Sequence, residues 1–174
     1  MTITYRDATI GDAAALLEVF SESFIDTFGH LYRPADLNAF MAENTDGKWR
    51  GCLADADYAT RIAEMDGEIV GFAELAPRKL PYEGPEPTLE IRRFYLLKRA
   101  HGTGIADELM RWVLEEAARR GAKELLLSVY VDNHRARRFY ERYGFHEVGR
   151  FDFMVGSHAD EDLILRHVIL QGSA

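Results

Sequence analysis

Residues 99–106, Arg-Ala-His-Gly-Thr-Gly-Ile-Ala, are the stretch of sequence that decides the fold. They follow residues 89–97, which alternate like a β-strand, and lead into residues 105–120, whose apolar positions recur at helical spacing. Glycine lets a backbone approach a ligand closely, and the N–H groups of a first helical turn are free to bind an anion. The stretch therefore predicts an anion-binding turn between a strand and a helix.

Three interpretations of this turn compete. A nucleotide P-loop requires lysine after its last glycine, whereas Ile105 follows Gly104. A dinucleotide fingerprint requires glycine or alanine at position 107, where Asp107 stands. Both of these interpretations fail. A tight turn that the glycines shape for structural reasons alone stays open on this motif.

A second motif begins about thirty residues later, after a buried-type strand at residues 123–131. Its members are Asn133, Ala136, Phe139, Tyr140, Gly144 and Phe145. On the short helix predicted here, Ala136, Tyr140 and Tyr143 share one face through i, i+4, i+7 spacing. The spacing predicts that Tyr140 points inward.

The rest of the chain has a mixed α/β order. Further strands are predicted at residues 2–6, 58–65, 68–76, 145–155 and 162–170, and further helices at residues 13–24, 34–44 and 132–143. Asp66-Gly67 is a strong hairpin signal between two of these strands. Four prolines make residues 77–87 a stiff irregular loop, and Gly47 with the cluster at residues 55–57 is also interpreted as loop.

The strand at residues 89–97 changes its parity. Apolar residues stand at odd positions up to Ile91 and at even positions from Phe94, with Arg92 and Arg93 between them. A slip of one residue is what a β-bulge produces, and bulges are common beside functional sites. The pattern predicts a bulge next to the anion-binding turn.

Composition and charge exclude several classes of function. A chain of 174 residues with 47% hydrophobic residues is long enough for one self-supporting domain. The net charge of −8 disfavours nucleic-acid and anionic-membrane binding, and no apolar run approaches the length of a membrane span.

The single cysteine, Cys52, indicates a reducing, cytoplasmic location. We expect no metal site, because no two histidines stand at i, i+4.

Taken together, the two motifs are specific. Arg/Gln-x-x-Gly-x-Gly/Ala on a strand-to-helix turn, followed by Asn-x-x-Ala-x-x-Phe-Tyr-x-x-x-Gly-Phe, resembles the Gcn5-related N-acetyltransferase (GNAT) family. The resemblance covers nearly the whole chain and implies a single domain, residues 1–174. The implied α/β fold is a mixed, mostly antiparallel twisted sheet of about seven strands with one splayed parallel pair, flanked by about four helices. The implied activity is acetyl transfer from acetyl-CoA to an amine.

The resemblance also assigns a coenzyme A site to the notch between the strands at residues 89–97 and 123–131. The residues implied to bind the cosubstrate are Phe94, Tyr95 and Leu96 along the pantetheine arm, Arg99, Gly102, Thr103, Gly104, Ile105 and Ala106 at the pyrophosphate, and Asn133 on the opposite side. Tyr140 is implied to lie near the thioester sulfur, and the Leu96 N–H to stabilise the oxyanion. A core tyrosine bonded to backbone is the alternative for Tyr140.

The implied reaction is direct attack of the amine on the thioester, because Cys52 lies outside both motifs and no serine nucleophile elbow occurs. An alkylammonium with a pKa near ~10.4 must first lose a proton. Glu90 is the first candidate for the general base and Glu74 the second, each with a pKa raised by burial. A solvated strand carboxylate is the alternative for both.

The acceptor amine is the least determined part. Residues 153–156 and 162–166 are similar to the closing strands of bacterial spermidine/spermine acetyltransferases, although Arg166 stands where those often have lysine. Residues 1–90 contain 7 Lys and Arg and 17 Asp and Glu, a difference of −10 that suits a polycation. Candidate acceptor-binding acids are Asp26, Asp36, Glu83 and Glu86.

Alternatives remain open at this point. Protein N-termini and other small amines are alternative acceptors, and a non-catalytic acyl-CoA sensor is an alternative to an enzyme. The final strand is expected to be exposed, which makes it a candidate for pairing across a homodimer.

Overall fold

All seven predicted strands and all four predicted helices are present in the computed structural model, which describes residues 1–170. The strands are β1 (Ile3–Asp7), β2 (Ala59–Met65), β3 (Glu68–Pro77), β4 (Thr88–Leu96), β5 (Glu124–Tyr130), β6 (His146–Val155) and β7 (His158–Val168). The helices are α1 (Ala13–Phe28), α2 (Pro34–Glu43), α3 (Asp46–Ala54), α4 (Ile105–Arg119) and α5 (His134–Arg142). No helix within this range is both long and apolar enough to cross a membrane.

The strands form one sheet in the order β1-β2-β3-β4-β5-β7-β6. Only β4 and β5 run parallel, and every other neighbouring pair is antiparallel. The expectation of an exposed final strand is wrong. β7 pairs with β5 on one side and with β6 on the other, so the edges of the sheet are β1 and β6.

The parallel pair β4–β5 is short and then opens. Only residues 88–90 of β4 pair with residues 124–126 of β5. On the other side of β4, Glu74 pairs with Arg93 and Leu75 with Ile91, so Arg92 is an extra residue in this strand. The bulge predicted from the parity slip is therefore confirmed. Beyond it, β4 continues along β3 while its β5-facing edge has no strand partner.

The helices cover the sheet on its two faces. α4 and α5 pack on one face, where Leu109 and Val113 are fully buried together with Leu125 and Leu127 of β5. α1, α2 and α3 pack on the other face around Phe20, Phe24, Trp49 and Phe72. Side chains alternate across a strand, so residues of β4 and β5 reach both faces of the sheet.

The β2–β3 hairpin turns at Asp66-Gly67, as predicted. Met65 pairs with Glu68, and the two turn residues have φ angles of 52° and 86°. Two consecutive positive φ values define the turn type that matches the right-handed twist of a hairpin, which is why the Asp-Gly pair is favoured there.

The prediction of a loop around Gly47 is wrong, because Gly47 lies in helix α3. The Thr45 side chain accepts a hydrogen bond from the backbone of the first turn and caps the helix. Trp49 is buried with its ring centre 5.3 Å from that of Phe20, and the Arg93 guanidinium lies 3.9 Å from the Trp49 ring centre. Two glycines in nine residues weaken the local helix signal, and this tertiary packing overrides it.

Candidate active site

A cavity of about 950 Å³ passes through the opening between β4 and β5. On the face covered by α4 and α5 it is lined by the turn before α4 and by one side of α5. On the opposite face it is lined by the C-terminal half of α1, by Tyr32 and by β6 and β7. One cavity therefore joins the two faces of the sheet, and two ligands that enter from opposite faces meet inside it.

The turn before α4 has the open backbone that the sequence predicted. Gly102 and Gly104 have φ angles of 75° and 87°, a region that side chains disfavour, and both line the cavity. No atom lies within 4 Å of a Cβ added at either position, so the added methyl would project into open space. The first turn of α4 begins directly after Gly104 with its N–H groups unpaired within the helix. This arrangement fits the pyrophosphate of coenzyme A.

Cations on α5 face the same region. Arg135, Arg138 and Arg142 line the cavity, and Arg135 Nη1 lies 2.8 Å from His101 Nδ1. Partial burial and, secondarily, the Arg135 charge lower the pKa of His101, which favours a neutral ring. We call the region lined by Gly102, Gly104, Arg135 and Arg138 the cationic end of the cavity.

The sequence-predicted cosubstrate residues divide into two groups. Those that line the cavity are Phe94, Tyr95, Leu96, Gly102, Gly104, Ala106 and Asn133. Arg99, Thr103 and Ile105 do not line it. Arg99 is half exposed and lies 2.9 Å from Glu68, the Thr103 hydroxyl donates to the Ala100 carbonyl at 2.5 Å, and the Ile105 side chain is fully buried in the core. The side chains of these three residues support the turn.

Tyr140 reaches the cavity from α5. The Asn133 side chain accepts a hydrogen bond from Ala136 N at 3.4 Å and caps this helix, which fixes the helical face that points inward. The Tyr140 ring packs edge-on against Phe94 and Phe145, with ring centres 6.3 and 5.9 Å away. Within residues 1–170 its hydroxyl has no hydrogen-bond partner, unlike a core tyrosine bonded to backbone. Burial, and then the nearby Tyr95, raise the pKa of Tyr140.

Glu90 lies outside the cavity. Its carboxylate accepts hydrogen bonds from Lys79 N at 2.8 Å, Leu80 N at 3.1 Å and Arg92 Nε at 3.0 Å. These contacts use both oxygens and fasten the proline-rich loop to β4. Glu90 precedes the bulge, in the part of β4 that is still paired with β5.

Glu74 is also outside the cavity. Both carboxylate oxygens bind Arg93 Nη1, at 3.1 and 3.2 Å, and the side chain is 2% exposed. Burial raises the pKa of Glu74, while Arg93 opposes the shift. The structure therefore brings neither of the two predicted bases to the cavity with Tyr140.

Carboxylates that the sequence analysis did not single out line the opposite end. Asp160 and Asp162 of β7 are buried and line the cavity together with the exposed Asp26 of α1. We call the region lined by these three residues the acidic end. Asp160 accepts a hydrogen bond from the Tyr32 hydroxyl and lies 3.2 Å from His158 Nε2. Burial and the neighbouring Asp160 raise the pKa of Asp162 to about 7.

The sequence carried a signal for this pair. Asp160 and Asp162 stand two residues apart at the start of an apolar strand, in positions that continue the face of the buried Ile164. The sequence predicts this strand only from residue 162 onward, so Asp160 falls outside it and the shared face is not evident from the sequence pattern. The structure starts β7 at His158 and places both acids on one face.

The other predicted acceptor acids have structural contacts. Asp36 accepts hydrogen bonds from Ser157 N and Oγ at 2.8 and 2.7 Å, which ties the start of α2 to the β6–β7 turn. Glu86 binds Arg78 at 2.8 Å, and neither it nor Glu83 lines the cavity. Of the four candidates, only Asp26 lines the cavity.

Comparison with known proteins agrees with this geometry. The chain matches the model of the acetyltransferase (GNAT) family over residues 14–145. It is 34% identical over 155 residues to an uncharacterized N-acetyltransferase of Mycobacterium tuberculosis, and the match covers 88% of this chain and 96% of the relative. The protein therefore belongs to the GNAT family and is an acetyl-CoA-dependent N-acetyltransferase.

Two further similarities bear on the fold and the acceptor. The PaiA N-acetyltransferase from Thermoplasma acidophilum, solved in complex with coenzyme A, has the same fold, with a TM-score of 0.77 at 22% identity over 97% of this chain and 99% of that one. The spermine/spermidine N(1)-acetyltransferase of Bacillus subtilis is 29% identical over 109 residues, which cover 59% of this chain and 71% of the relative.

Proposed function

We propose that this N-acetyltransferase acetylates a primary amine of a polyamine, by direct attack in a ternary complex. The observation that carries the proposal is the division of one cavity into a cationic end and an acidic end on opposite faces of the sheet. A polyanionic cosubstrate matches the first end and a polycationic acceptor matches the second.

The cationic end is where we place coenzyme A. Backbone N–H groups of residues 102–106 would hold the pyrophosphate, with Arg135 and Arg138 beside it. The unpaired β5-facing edge of β4 at Phe94, Tyr95 and Leu96 offers backbone groups to the amides of the pantetheine arm. Asn133 lines the cavity from the other side. Bound here, acetyl-CoA supplies an activated acetyl group at the opening between the strands.

Tyr140 is the proposed proton donor. Its raised pKa keeps the hydroxyl protonated at neutral pH, as a donor requires. The sulfur that departs from the thioester is a stronger base in a buried site than in water, because burial disfavours the thiolate. Tyr140 donates its proton to that sulfur as the C–S bond breaks, and the Leu96 N–H is the proposed donor to the oxyanion.

Direct attack is proposed because, within residues 1–170, no cysteine lines the cavity and neither lining serine, Ser23 or Ser128, is hydrogen-bonded to a histidine. Cys52 belongs to α3 and does not line the cavity. Ser128 lines the cavity close to the acids, but among the described residues its hydroxyl has no histidine to act as its base. Both substrates must therefore be bound together.

Two observations support a polyamine acceptor. Asp26, Asp160 and Asp162 give the acidic end three carboxylates for ammonium groups. A protein that shares 29% identity over part of its length bears the name spermine/spermidine N(1)-acetyltransferase. Neither an uncharged acceptor nor an acidic one would match this lining.

The test is an acceptor panel with purified protein and acetyl-CoA, followed by release of free thiol. We expect the highest kcat/KM for spermine and spermidine, lower values for short monoamines, and the lowest for a peptide with an acidic N-terminal segment. A preference for the peptide or for a neutral amine would remove the polyamine assignment. Tight acetyl-CoA binding without thiol release for any amine would favour an acyl-CoA sensor.

A further inference from the structure

The proposed function requires a residue that accepts a proton from the acceptor ammonium group. A primary alkylammonium has a pKa near ~10.4 and is almost fully protonated at neutral pH, so its nitrogen must be deprotonated before it attacks. Glu90 and Glu74 are held in ion pairs outside the cavity. The residue that accepts this proton has to be sought among the groups that line the acidic end.

Asp162 has the required position. It lies on the face of β7 that lines the cavity, its residue surface is 6% exposed, and it forms no salt bridge within residues 1–170. Its strand neighbours are Tyr130 of β5 and Phe151 of β6. A buried carboxylate without a cation beside it is costly, and a cation that enters the cavity would supply the missing partner.

Asp160 differs from Asp162 in its contacts. The Tyr32 hydroxyl donates a hydrogen bond to Asp160 and His158 Nε2 lies 3.2 Å from it, whereas Asp162 forms no ion pair within residues 1–170 and has the Ser128 hydroxyl nearby. Asp160 is therefore already engaged, and Asp162 keeps acceptor capacity free toward the cavity.

The groups around Asp162 come from three strands and from the segment before α2. Those that interact with its charge are Asp160 on β7, Ser128 and Tyr130 on β5, Tyr95 on β4 and Tyr32 before α2. His158 reaches the pair through Asp160. The negative charge of Asp160 and burial make Asp162 a stronger base than an ordinary aspartate, with a pKa of about 7.

Tyr95 lines the same cavity as Asp162 and the proposed proton donor Tyr140. Burial raises the pKa of Tyr95, with a smaller contribution from the charge of Asp162, and burial followed by Tyr95 raises the pKa of Tyr140. Since Tyr95 belongs to the opened part of β4, the three groups surround the opening from both faces of the sheet. An acceptor nitrogen at Asp162 therefore lies on the side of the opening opposite Tyr140.

We propose that Asp162 is the general base, which binds the ammonium group of the acceptor and takes its proton, and that the neighbouring Asp160 is a positioning residue. This rests on the proposed function and specifies its substrate class as an unhindered primary alkylammonium. The ammonium gives one proton to an Asp162 oxygen, and the freed nitrogen attacks the thioester carbonyl carbon. The C–S bond breaks while the sulfur takes the Tyr140 proton. The second proton of the acetylated nitrogen restores Tyr140, and Asp162 releases its proton to water.

The experiment compares wild type with Asp162→Asn, using spermine and n-propylamine with acetyl-CoA between pH 5.5 and 9. We expect kcat to fall by about 10² to 10³ in the variant, and the rise of kcat/KM centred near pH 7 to disappear. Acetyl-CoA affinity should stay within about twofold of wild type, since the cationic end is unchanged. Asp152→Asn, an exposed carboxylate on the neighbouring strand, is the matched control and should behave as wild type.

Asp160→Asn tests the positioning role. An asparagine oxygen can still accept from Tyr32, but the negative charge beside Asp162 is lost. The rise of kcat/KM should therefore move to lower pH by about one unit, which a purely structural role would not produce.

Two further measurements distinguish a failure of the Asp162 proposal from a failure of the proposed function. Calorimetric binding of spermine to the protein loaded with coenzyme A should weaken at least tenfold in Asp162→Asn. A variant that keeps kcat, pH profile and spermine affinity overturns the role of Asp162 and leaves the proposed function standing. A wild-type protein that turns over no amine overturns the proposed function and the general base with it.

Discussion

The cationic end is built mainly from one continuous part of the chain, residues 101–142, whereas the acidic end joins α1 to β7, more than a hundred residues apart in sequence. Local spacing places the two glycines and the arginines of the first end on one turn and one helix. The acids of the second end meet only because β7 inserts between β5 and β6. A site built from residues close together in the chain can be recognised as a sequence motif. A site built from distant segments that the fold brings together cannot.

The two ends also differ in chemistry. The cationic end offers backbone N–H groups and exposed arginines, which bind a phosphate through charge and hydrogen bonds at modest desolvation cost. The acidic end holds two carboxylates that are about 95% buried, at 5% and 6% exposure. Burial of like charges shifts proton affinity, so the acidic end is suited to proton transfer as well as to binding.

The largest effect is expected at the junction of the two ends. Tyr140→Phe should lower kcat by about 10² while acetyl-CoA affinity stays near wild type, because only the proton donor is lost. Steady-state kinetics and direct binding of acetyl-CoA measure the two quantities. Tyr143→Phe is the control, because its hydroxyl donates to Asp107 at 2.5 Å and lies outside the cavity. Unchanged kcat in Tyr140→Phe would remove this residue from the chemistry.

The second-largest effect is expected at the cationic end and concerns acetyl-CoA affinity. Gly104→Ala should weaken acetyl-CoA binding about 30-fold, because the methyl group enters the pyrophosphate site and the φ angle of 87° disfavours alanine. Gly121→Ala is the matched control. Gly121 has a φ angle of 75° and an equally open Cβ direction, but it follows the far end of α4. Equal losses of affinity in both variants would point to backbone strain and not to the anion site.

A smaller effect is expected at the rim of the acidic end. Asp26→Asn should raise KM for spermine about fivefold and leave KM for acetyl-CoA unchanged, since an exposed carboxylate contributes a weak, screened attraction. The difference between wild type and variant should shrink as salt is raised from 0.05 to about 0.5 M. An equal change in both KM values would contradict the division of the cavity into two ends.

The smallest effect concerns stability. The pKa of Asp162 is about 7 in the folded state and near ~3.9 when unfolded, so the folded protein holds this proton more tightly. The resulting stabilisation is fully present below about pH 4 and is lost as pH rises through about 7. Asp162→Asn should therefore raise Tm by about 5 °C at pH 8, and the difference should shrink toward pH 5. A variant less stable than wild type at pH 8 would argue against an uncompensated buried carboxylate.

Sequence analysis recovered the elements that local physics specifies strongly. The Asp66-Gly67 turn, the helix α4 and the bulge at Arg92 all follow from residue patterns within a few positions. α3 was missed because its stability comes from burial of Trp49 against α1 and β3, which no local pattern reports.

The proposed general base could likewise not be identified from local sequence patterns. Glu90 and Glu74 are strand acids beside the predicted notch, and their sequence positions favour a catalytic role. Which side of the sheet a carboxylate faces depends on strand parity and on its partners, and here Glu90 and Glu74 are engaged by Arg92 and Arg93 and do not line the cavity. Only the three-dimensional arrangement of the strands reveals that Asp162 lines the cavity with Tyr140.

The sequence alone determined the anion-binding turn, because a glycine turn, a helix start and a helix face depend on spacings of a few residues, and it indicated the class of protein through the resemblance of its two motifs to the GNAT family. The tertiary structure decided which acids share a cavity with Tyr140 and which are engaged in ion pairs. Those outcomes depend on strand order and register, which bring together residues far apart in the chain and set how deeply each charge is buried.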